Sequence, residues 1–283
     1  MGTTFETPEP ITATIDVAMG GLRLSAGDRT DTVVDVRPTD ASDKEDVKAA
    51  ELTRVEYYAD GQLLVKAPKV RSWRPRGDGG SIDVTIELPA GSNVQGTVQF
   101  GDVDADGRLG DCRIKTGMGH VRVEEAGTVS LKTGIGDITV DRAVGDAEVT
   151  LGSGDVRIRE LGAGAVIKNS NGDTWIGTAA GDLRINAANG SIAVDRAHAG
   201  VVAKSSNGDV RLTEVERGAV VLETKLGDLE VGIPEGTPAW LDVRAAAGRV
   251  RNALDAAEAP DSAAQAVEVR ARTTAGDVVV RRP

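Results

Sequence analysis

Residues 168–194 read KNSNGDTWIGTAAGDLRINAANGSIAV, and this stretch decides the fold because it contains the same pattern twice. An Asn-Gly pair opens a short strand-like segment at Gly172 and again at Gly190. A glycine returns in this way, at spacings of 17 to 19 residues, throughout residues 101–231. The anchor glycines are Gly101, Gly119, Gly136, Gly154, Gly172, Gly190, Gly208 and Gly227. A fixed period of this length indicates a repeat architecture.

Each period contains two short segments in which apolar and polar positions alternate. The second and fourth residues after the anchor glycine are apolar in most periods, as in Val210 and Leu212 after Gly208. A second apolar pair lies seven and five residues before the glycine, as in Val201 and Ala203. Alternation with a period of two predicts a strand with one buried face.

Stacking of successive repeats buries faces that a single strand pair would leave exposed, with neighbouring strands about 4.8 Å apart. The sequence therefore predicts an all-β fold, a parallel β-solenoid with about 18 residues and two short strands per coil. A meander of antiparallel hairpins is the competing interpretation. It also alternates, but it does not require the same position to be apolar in every repeat.

The remainder of the chain departs from the period at both ends. We expect residues 1–92 to form an irregular β cap or entry segment with one short helix near residues 43–51. We expect residues 93–283 to form the solenoid repeats, with a loop insertion near residues 252–266 and closing strands after it. We expect one continuous elongated domain, in which the first segment covers an end that would otherwise invite aggregation.

Stacking turns each position of the repeat into a column of like residues. The residue before the anchor is Asn171, Asn189 and Asn207 in three successive coils, and stacked asparagines can pass hydrogen bonds between coils. The residue after the anchor is an aspartate in most coils: Asp137, Asp155, Asp173, Asp209 and Asp228. Aspartate suits a tight turn because its carboxylate accepts backbone hydrogen bonds. The paired glycines and second aspartate of a calcium-binding roll are missing, so we expect no specific calcium site.

The composition argues against several partners and chemistries. A formal net charge of −11 disfavours nucleic acid or an anionic membrane as the main partner. The single cysteine, Cys112, falls on an inward position, and the two histidines, His120 and His198, are far apart in the sequence. No cluster of cysteine or histidine residues has the spacing of metal ligands, and no glycine-rich loop of the kind that binds nucleotide phosphates is present. We therefore expect no catalytic residue, no metal, no cofactor and no membrane span.

One stretch stands out as a candidate partner-binding loop. Residues 66–76 combine basic side chains with a tryptophan in an otherwise acidic protein. Its candidate contact residues are Lys69, Arg71, Trp73, Arg74 and Arg76. Basic and aromatic residues together suit an anion or a nucleic acid, whereas a solvated loop paired with the acidic body is the plainer interpretation.

A second candidate surface consists of outward apolar residues in the repeats. Val166 and Val202 occupy outward positions of the first strand of their coils, and Trp175 occupies one in the second strand. They form a patch only if the two strands are neighbours. Scattered exposed apolar residues are otherwise normal.

Several motifs resemble the DUF4097 family, an adhesin-type family of bacterial β-strand-repeat proteins. The similar segments are Phe5-Glu-Thr-Pro-Glu-Pro10, Leu88-Pro-Ala-Gly-Ser92, Lys132-Thr-Gly-Ile-Gly-Asp137, Lys168-Asn-Ser-Asn-Gly-Asp173, Lys204-Ser-Ser-Asn-Gly-Asp209 and Ala239-Trp-Leu-Asp-Val243. The resemblance covers essentially the whole chain. It implies a β-solenoid-like fold and carries no catalytic residues.

These observations favour a non-enzymatic scaffold or protein-interaction module that presents ladders of side chains to a protein partner. We expect a monomer or a weak oligomer. The alternatives are a cell-surface adhesin or carbohydrate-binding protein, and a filament former whose solenoid ends stack head to tail. The first ten residues lack the basic and apolar regions of a signal peptide, which predicts a cytoplasmic location.

Overall fold

The computed structural model describes residues 2–68, 80–254 and 266–283, and within these ranges it is built of strands and one helix. The chain divides into two compact units, Met1–Asp141 and Arg142–Pro283. The predicted division at residue 92 and the predicted single continuous domain stay predictions.

The first unit combines a parallel solenoid with antiparallel strands near its start. Its strands are β1 (Gly2–Glu6), β2 (Thr12–Met19), β3 (Leu22–Gly27), β4 (Asp31–Pro38), β5 (Arg54–Tyr57), β6 (Gln62–Lys66), β7 (Ile82–Pro89), β8 (Asn93–Phe100), β9 (Val103–Met118) and β10 (Val121–Ile135), with β11 (Ile138–Ala143) at the boundary of the units. Parallel pairing joins β6, β2, β8 and β9 in one stack and β7, β3 and β9 in another. The long strands β9 and β10 pair with each other along both stacks.

Antiparallel pairs occupy the outer positions of these stacks. Strand β1 pairs with β4, β4 pairs with β7, and β5 pairs with β6. The rings of Phe5 on β1 and Tyr57 on β5 pack with centroids 5.4 Å apart. This contact joins the outermost strands of the two stacks, and β5 and β6 form a hairpin around Gly61.

The helix α1 (Lys44–Leu52) confirms the short helix predicted near residues 43–51. Its N-cap is Asp43, whose carboxylate accepts a hydrogen bond from the backbone N–H of Glu45 at 2.7 Å. This bond satisfies one of the donors that the first helical turn leaves free, and the acidic residues Glu45 and Asp46 complement the positive end of the helix dipole.

The second unit is a parallel solenoid throughout. Its further strands are β12 (Ala147–Ser153), β13 (Val156–Leu161), β14 (Ala165–Asn171), β15 (Thr174–Ala179), β16 (Leu183–Asn189), β17 (Ile192–Ala197), β18 (Val201–Lys204), β19 (Val210–Val215), β20 (Gly218–Leu226), β21 (Leu229–Gly232), β22 (Ala239–Ala247), β23 (Val250–Asn252), β24 (Val267–Ala275) and β25 (Val278–Arg281). Ala147 pairs with Ala165, Ala165 with Leu183, and Leu183 with Val201. This register equals the period read from the sequence, so the predicted parallel solenoid with two strands per coil is confirmed.

The last coils are not stacked in the order of the sequence. Strand β24 pairs with β20 on one side and β22 on the other, and β25 likewise lies between β21 and β23. The prediction that the segments after residue 266 close the solenoid is therefore wrong: β22 and β23 are the outermost strands of these stacks. The prediction took repeats that are consecutive in the sequence to be neighbours in the stack. In the structure Gly276 stacks on Gly227, and Gly248 stacks on Gly276.

Inward apolar side chains fill both units at their alternating positions. Ile114, Ile158 and Leu212 are fully buried, as the period predicts. Cys112 is also buried, and because burial disfavours the thiolate, its pKa is raised to about 12. No helix in the described part of the chain has the length and apolar character that crossing a membrane requires.

Candidate functional site

The candidate contact residues of the predicted partner-binding loop lie outside the described residues, whereas Lys66, at the start of this stretch, is the last residue of β6. Lys69, Arg71, Trp73, Arg74 and Arg76 all fall between residues 69 and 79. Their role as a contact surface stays a prediction. The described surface offers other candidates, which the stacking of the coils creates.

The corner aspartates hold successive coils together. The Asp173 carboxylate accepts a hydrogen bond from the backbone N–H of Ser191 at 2.8 Å, and Asp155 accepts one from the N–H of Asp173 at 3.0 Å. Each donor lies at the same corner of the next coil. At His120, which replaces the aspartate in one coil, Nδ1 accepts the N–H of Asp137 at 3.1 Å. The turn interpretation is confirmed, with the difference that the bonds run between coils and not within one turn.

A second aspartate column at the opposite corner does the same. Asp182 accepts a hydrogen bond from the N–H of Gly200 at 2.9 Å, and Asp146 accepts one from Gly164 at 3.2 Å. This column was missed in the sequence because its residues lie outside the anchor motif. Among the described residues, no group of three or more His, Cys, Asp or Glu side chains could hold a metal ion.

The asparagine column also forms the predicted ladder. Asn189 Nδ2 donates to Asn171 Oδ1 at 2.8 Å, and Asn207 Nδ2 donates to Asn189 Oδ1 at 2.7 Å. A further asparagine, Asn169, is buried inside the corner, where its Nδ2 donates to the carbonyls of Gly172 at 2.9 Å and Gly154 at 3.1 Å. These amides are structural and use their donors within the fold.

The patch predicted from Val166, Val202 and Trp175 does not form. Val166 lies on β14 between Glu148 on β12 and Arg184 on β16, and Arg184 separates it from Val202 on β18. Trp175 lies on β15, whose neighbours are β13 and β17. The two strands of a coil belong to different stacks, so their outward side chains do not meet.

An apolar column at the corner of the first unit is the most conspicuous described surface. It comprises four side chains, which we call the corner ladder: Met19, Phe100, Met118 and Ile135. They are 37%, 51%, 48% and 51% exposed, respectively. In the strand register Met19 pairs with Phe100, Phe100 with Met118, and Met118 with Ile135. With strands about 4.8 Å apart, the corner ladder is a continuous apolar line about 14 Å long.

The solenoid corner does not itself require apolar residues at this position. Each member of the corner ladder directly precedes a glycine with positive φ, as Met118 precedes Gly119. The same corner forms in the second unit with other residues before its positive-φ glycines: Ser153, Asn171, Asn189, Asn207, Leu226, Ala247 and Ala275. Only Leu226, which is 55% exposed, is a large apolar residue among them, and the three asparagines stand in successive coils. Folding therefore does not explain the exposed apolar line, and contiguous exposed apolar surface commonly marks an interaction site.

Charged groups border the corner ladder on both sides. Lys115 and Lys132 are exposed and pair in register on the strand side. On the other side, Asp102 accepts a hydrogen bond from the backbone N–H of His120 at 2.8 Å, and His120 Nδ1 lies 3.6 Å from the carboxylate of Asp137. The result is an apolar line between a basic border and a mixed border.

The sequence contained the signal for most of the corner ladder. The sequence pattern predicts a hydrogen-bonded column before the anchor glycine only in the coils where that residue is asparagine. The same column upstream reads Phe100, Met118 and Ile135. Met19 gave no such signal because its glycine, Gly20, lies outside the period and joins the column only through the β2–β8 pairing.

A shallow depression around Trp175 is a second candidate surface. The indole Cη2 atom lies 3.3 Å from the point where a Cβ on Gly177 would stand, so the ring lies over this glycine. The depression has a volume of about 340 Å³, and Asp173, Ser191 and Ala193 contribute to its lining. A partly exposed indole with polar groups at its rim is the result.

The family model of DUF4097, described as Toastrack DUF4097, matches residues 59–281. A search of the curated proteins finds no match to the chain.

Several solved structures resemble the chain weakly. A "putative adhesin" from Parabacteroides merdae has a TM-score of 0.43 at 14% identity, over 83% of this chain and 96% of that one. A "putative cell adhesion protein" from Clostridium sporogenes has a TM-score of 0.28 at 10% identity, over 100% and 99% of the two chains. A "putative lipid binding protein" from Parabacteroides distasonis has a TM-score of 0.34 at 8% identity, over 99% and 96%.

Proposed function

The chain belongs to the DUF4097 (Toastrack) family, and we propose that it is a non-enzymatic interaction scaffold whose corner ladder binds a protein partner. The observation that carries the proposal is the line of four successive exposed apolar residues at a corner where three successive coils of the second unit use asparagine. An unneeded apolar surface of this kind lowers solubility, which a partner that covers it would offset.

The chemistry of the surface indicates what it binds. Four stacked side chains about 14 Å long suit an extended apolar segment of another protein, laid across the coils. Two of the four are methionines, which adapt to irregular partner surfaces because their side chains are flexible and polarizable. Lys115 and Lys132 favour acidic residues beside that segment. The corner aspartates support a non-enzymatic role, because they accept backbone hydrogen bonds.

The direct test is photo-cross-linking in cells that express the protein. A photoreactive phenylalanine analogue replaces Met118 in one variant and Asn189, the equivalent corner position of the second unit, in a control. We expect a defined cross-linked protein from position 118 that is absent from position 189. The same adducts from both positions, or none from position 118, would contradict the proposal.

A matched substitution separates binding from folding. Phe100→Asn combined with Met118→Asn places in the first unit the residue that the second unit carries at this position. We expect the cross-linked partner, captured through another corner position, to disappear while the unfolding midpoint stays within a few degrees of wild type. A retained partner would show that the corner ladder is not the binding surface.

Carbohydrate binding is the second candidate, and the depression around Trp175 favours it. An indole face can pack against the C–H face of a sugar ring, while Asp173 and Ser191 can hydrogen-bond to hydroxyl groups. Screening wild type and Trp175→Ala against immobilised glycans tests this function. It requires a glycan that binds wild type only; the absence of any such glycan would reject it.

We also propose a cytoplasmic location. Cell fractionation with an antibody against the protein tests it directly. Recovery in the cell-wall or surface fraction would overturn this location and favour the adhesin alternative.

A further inference from the structure

Among the described strands, the outermost coil of the second unit has one sheet edge without a pairing partner. Strand β22 pairs with β24, β23 pairs with β25, and no other described strand pairs with either. One edge of each therefore presents backbone N–H and C=O groups that can accept another strand.

The apolar side chains of this coil are also incompletely covered by the described residues. Leu241 and Val243 take inward positions but are only half-buried, and Val250 is 44% exposed. Their register partners in the neighbouring coil, such as Val269 opposite Leu241, are fully buried. Covering the edge would therefore extend the hydrophobic core as well as the hydrogen-bonded sheet.

The sequence of β22 is complementary to itself in one antiparallel register. A two-fold axis through Val243 places Asp242 of one copy opposite Arg244 of the other, twice by symmetry. In the same register the large side chain of Trp240 stands opposite Ala246, and Leu241 stands opposite Ala245. Opposite charges and large–small pairs on facing strand positions are both favourable.

The neighbouring registers lack this match. Directly opposite residues of an antiparallel pair share one face of the sheet, so an allowed register moves the axis by a whole residue. An axis through Asp242 places this carboxylate opposite its own copy, and an axis through Arg244 places two guanidinium groups opposite each other. Like charges in facing positions are destabilising. Within one chain Asp242 already contacts Arg244 at 3.2 Å and Arg272 at 3.4 Å, and the register centred on Val243 extends these ion pairs across the axis, whereas the other two place like charges opposite each other.

The first unit offers no equivalent edge with a parallel partner among its described strands. Its outermost strands, β1 and β5, are antiparallel additions joined by the contact between Phe5 and Tyr57. A two-fold pairing through β22 uses the same surface on both copies and closes after two chains. This pairing would give a dimer and not a filament.

We propose that two copies of this chain pair through the free edge of β22, antiparallel and centred on Val243, with reciprocal Asp242–Arg244 ion pairs. The occupant of the edge is thus a second copy of the chain. This inference goes beyond the proposed function, because it concerns another surface in another unit.

Analytical ultracentrifugation across micromolar to millimolar concentrations tests the proposal. We expect wild type to form a reversible monomer–dimer equilibrium. Arg244→Asp makes both reciprocal pairs repulsive, and the dimer should weaken at least about 100-fold in Kd. Arg244→Lys keeps the charge and should retain dimers. A wild type that stays monomeric, or an Arg244→Asp variant that still dimerises, would overturn the proposal.

Mixing two single variants distinguishes a lost interface from a lost fold. Arg244→Asp carries two acids at the paired positions, and Asp242→Arg carries two bases, so neither should self-associate. Together they restore both opposite-charge pairs in a heterodimer. We expect the mixture to dimerise with circular dichroism unchanged in each variant. If the two folded variants stay monomeric when mixed, the proposed register is wrong.

Discussion

The anchor glycines impose the strictest demands on single residues. Gly190 has a φ of +132°, and a Cβ there would lie 2.1 Å from the carbonyl oxygen of Gly172 in the neighbouring coil. We expect Gly190→Ala to lower the free energy of unfolding by at least about 3 kcal/mol, because both backbone strain and close approach oppose a side chain. Urea denaturation measures the loss.

Gly164→Ala is the matched control for this substitution. Gly164 has no positive φ, and a Cβ there would lie 3.4 Å from its nearest neighbour, the carbonyl oxygen of Asp182. We expect a loss below about 1 kcal/mol. Equal losses at Gly164 and Gly190 would contradict the stacking argument.

Asn169 provides a second test at the scale of one residue. Its buried Nδ2 donates to the carbonyl oxygens of Gly154, Gly172 and Asp173. We expect Asn169→Ala to destabilise the protein by about 2 kcal/mol, because these buried acceptors lose their donor. Asn169→Asp has almost the same shape but would place a carboxylate against carbonyl oxygens, so its loss at neutral pH should be larger. A tolerated aspartate would refute this role.

The sequence revealed which residues occupy the corners but not which coil their bonds reach. Asp173 and Asn189 were correctly assigned to hydrogen-bonded columns from the period alone. That Asp173 bonds to the N–H of Ser191, the equivalent residue of the next coil, depends on the direction in which its carboxylate points, which spacing does not encode. The same holds for the second column, in which Asp182 bonds to the N–H of Gly200.

At the scale of strands, Glu230 links its own strand to two neighbouring strands. Its carboxylate on β21 contacts Arg211 on β19 at 2.7 Å and Arg281 on β25 at 2.6 Å. Burial acts to raise the pKa of Glu230, but the hydrogen bond from Arg281 and the charges of both arginines outweigh it and lower the pKa. The folded pKa therefore lies below the unfolded one.

This shift gives a pH-dependent contribution with a defined sign. Because the folded pKa is lowered, the stabilisation is fully present above the unfolded value of about 4.3 and is lost as the pH falls through the folded pKa. We expect Glu230→Gln to cost about 1 kcal/mol at pH 7 and progressively less below about pH 4. Denaturation of both proteins across this range measures the difference.

Glu160 supplies the control for this experiment. Its pair with Arg142 is 3.6 Å long, and both side chains are more than half exposed. We expect Glu160→Gln to change stability little at any pH, because solvent screens exposed pairs. A Glu230→Gln effect that does not change with pH would show that packing and not charge stabilises this site.

The strand order shows where sequence reasoning stops at this scale. The repeat predicted the coils from β12 to β21, because consecutive segments there are also neighbours. It could not predict that β24 inserts between β20 and β22. Parallel stacking accepts any coil with a matching apolar pattern, so pattern alone does not determine the order.

For the whole molecule, the same corner of the repeat carries different side chains in different coils. The corner holds Phe100 and Met118 in the first unit and Asn171 and Asn189 in the second. The period of the sequence predicts where each corner lies. It does not predict which corner side chains are exposed, and this is seen only in the structure. The free edge of β22 likewise could not be predicted from the sequence, because it results from the strand order.

The single cysteine makes the integrity of the first unit measurable. Cys112 is 2% exposed and lies between Val94 and Val129 in the strand register. Burial raises its pKa to about 12, so the reactive thiolate is nearly absent at pH 8. We expect labelling by a thiol reagent to be at least about 1,000-fold slower in the native protein than in urea, rising in step with the loss of strand circular dichroism.

A double variant shows that position and not the reagent controls this rate. Cys112→Ser combined with Arg113→Cys moves the thiol to the adjacent outward position, which is exposed. Since neighbouring strand residues face opposite sides of the sheet, this thiol should react at once in the native state. Rapid labelling of native wild type would contradict the inward placement of Cys112. Slow labelling of wild type with fast labelling of the variant would establish the one-residue register on which every buried and exposed position in this unit depends.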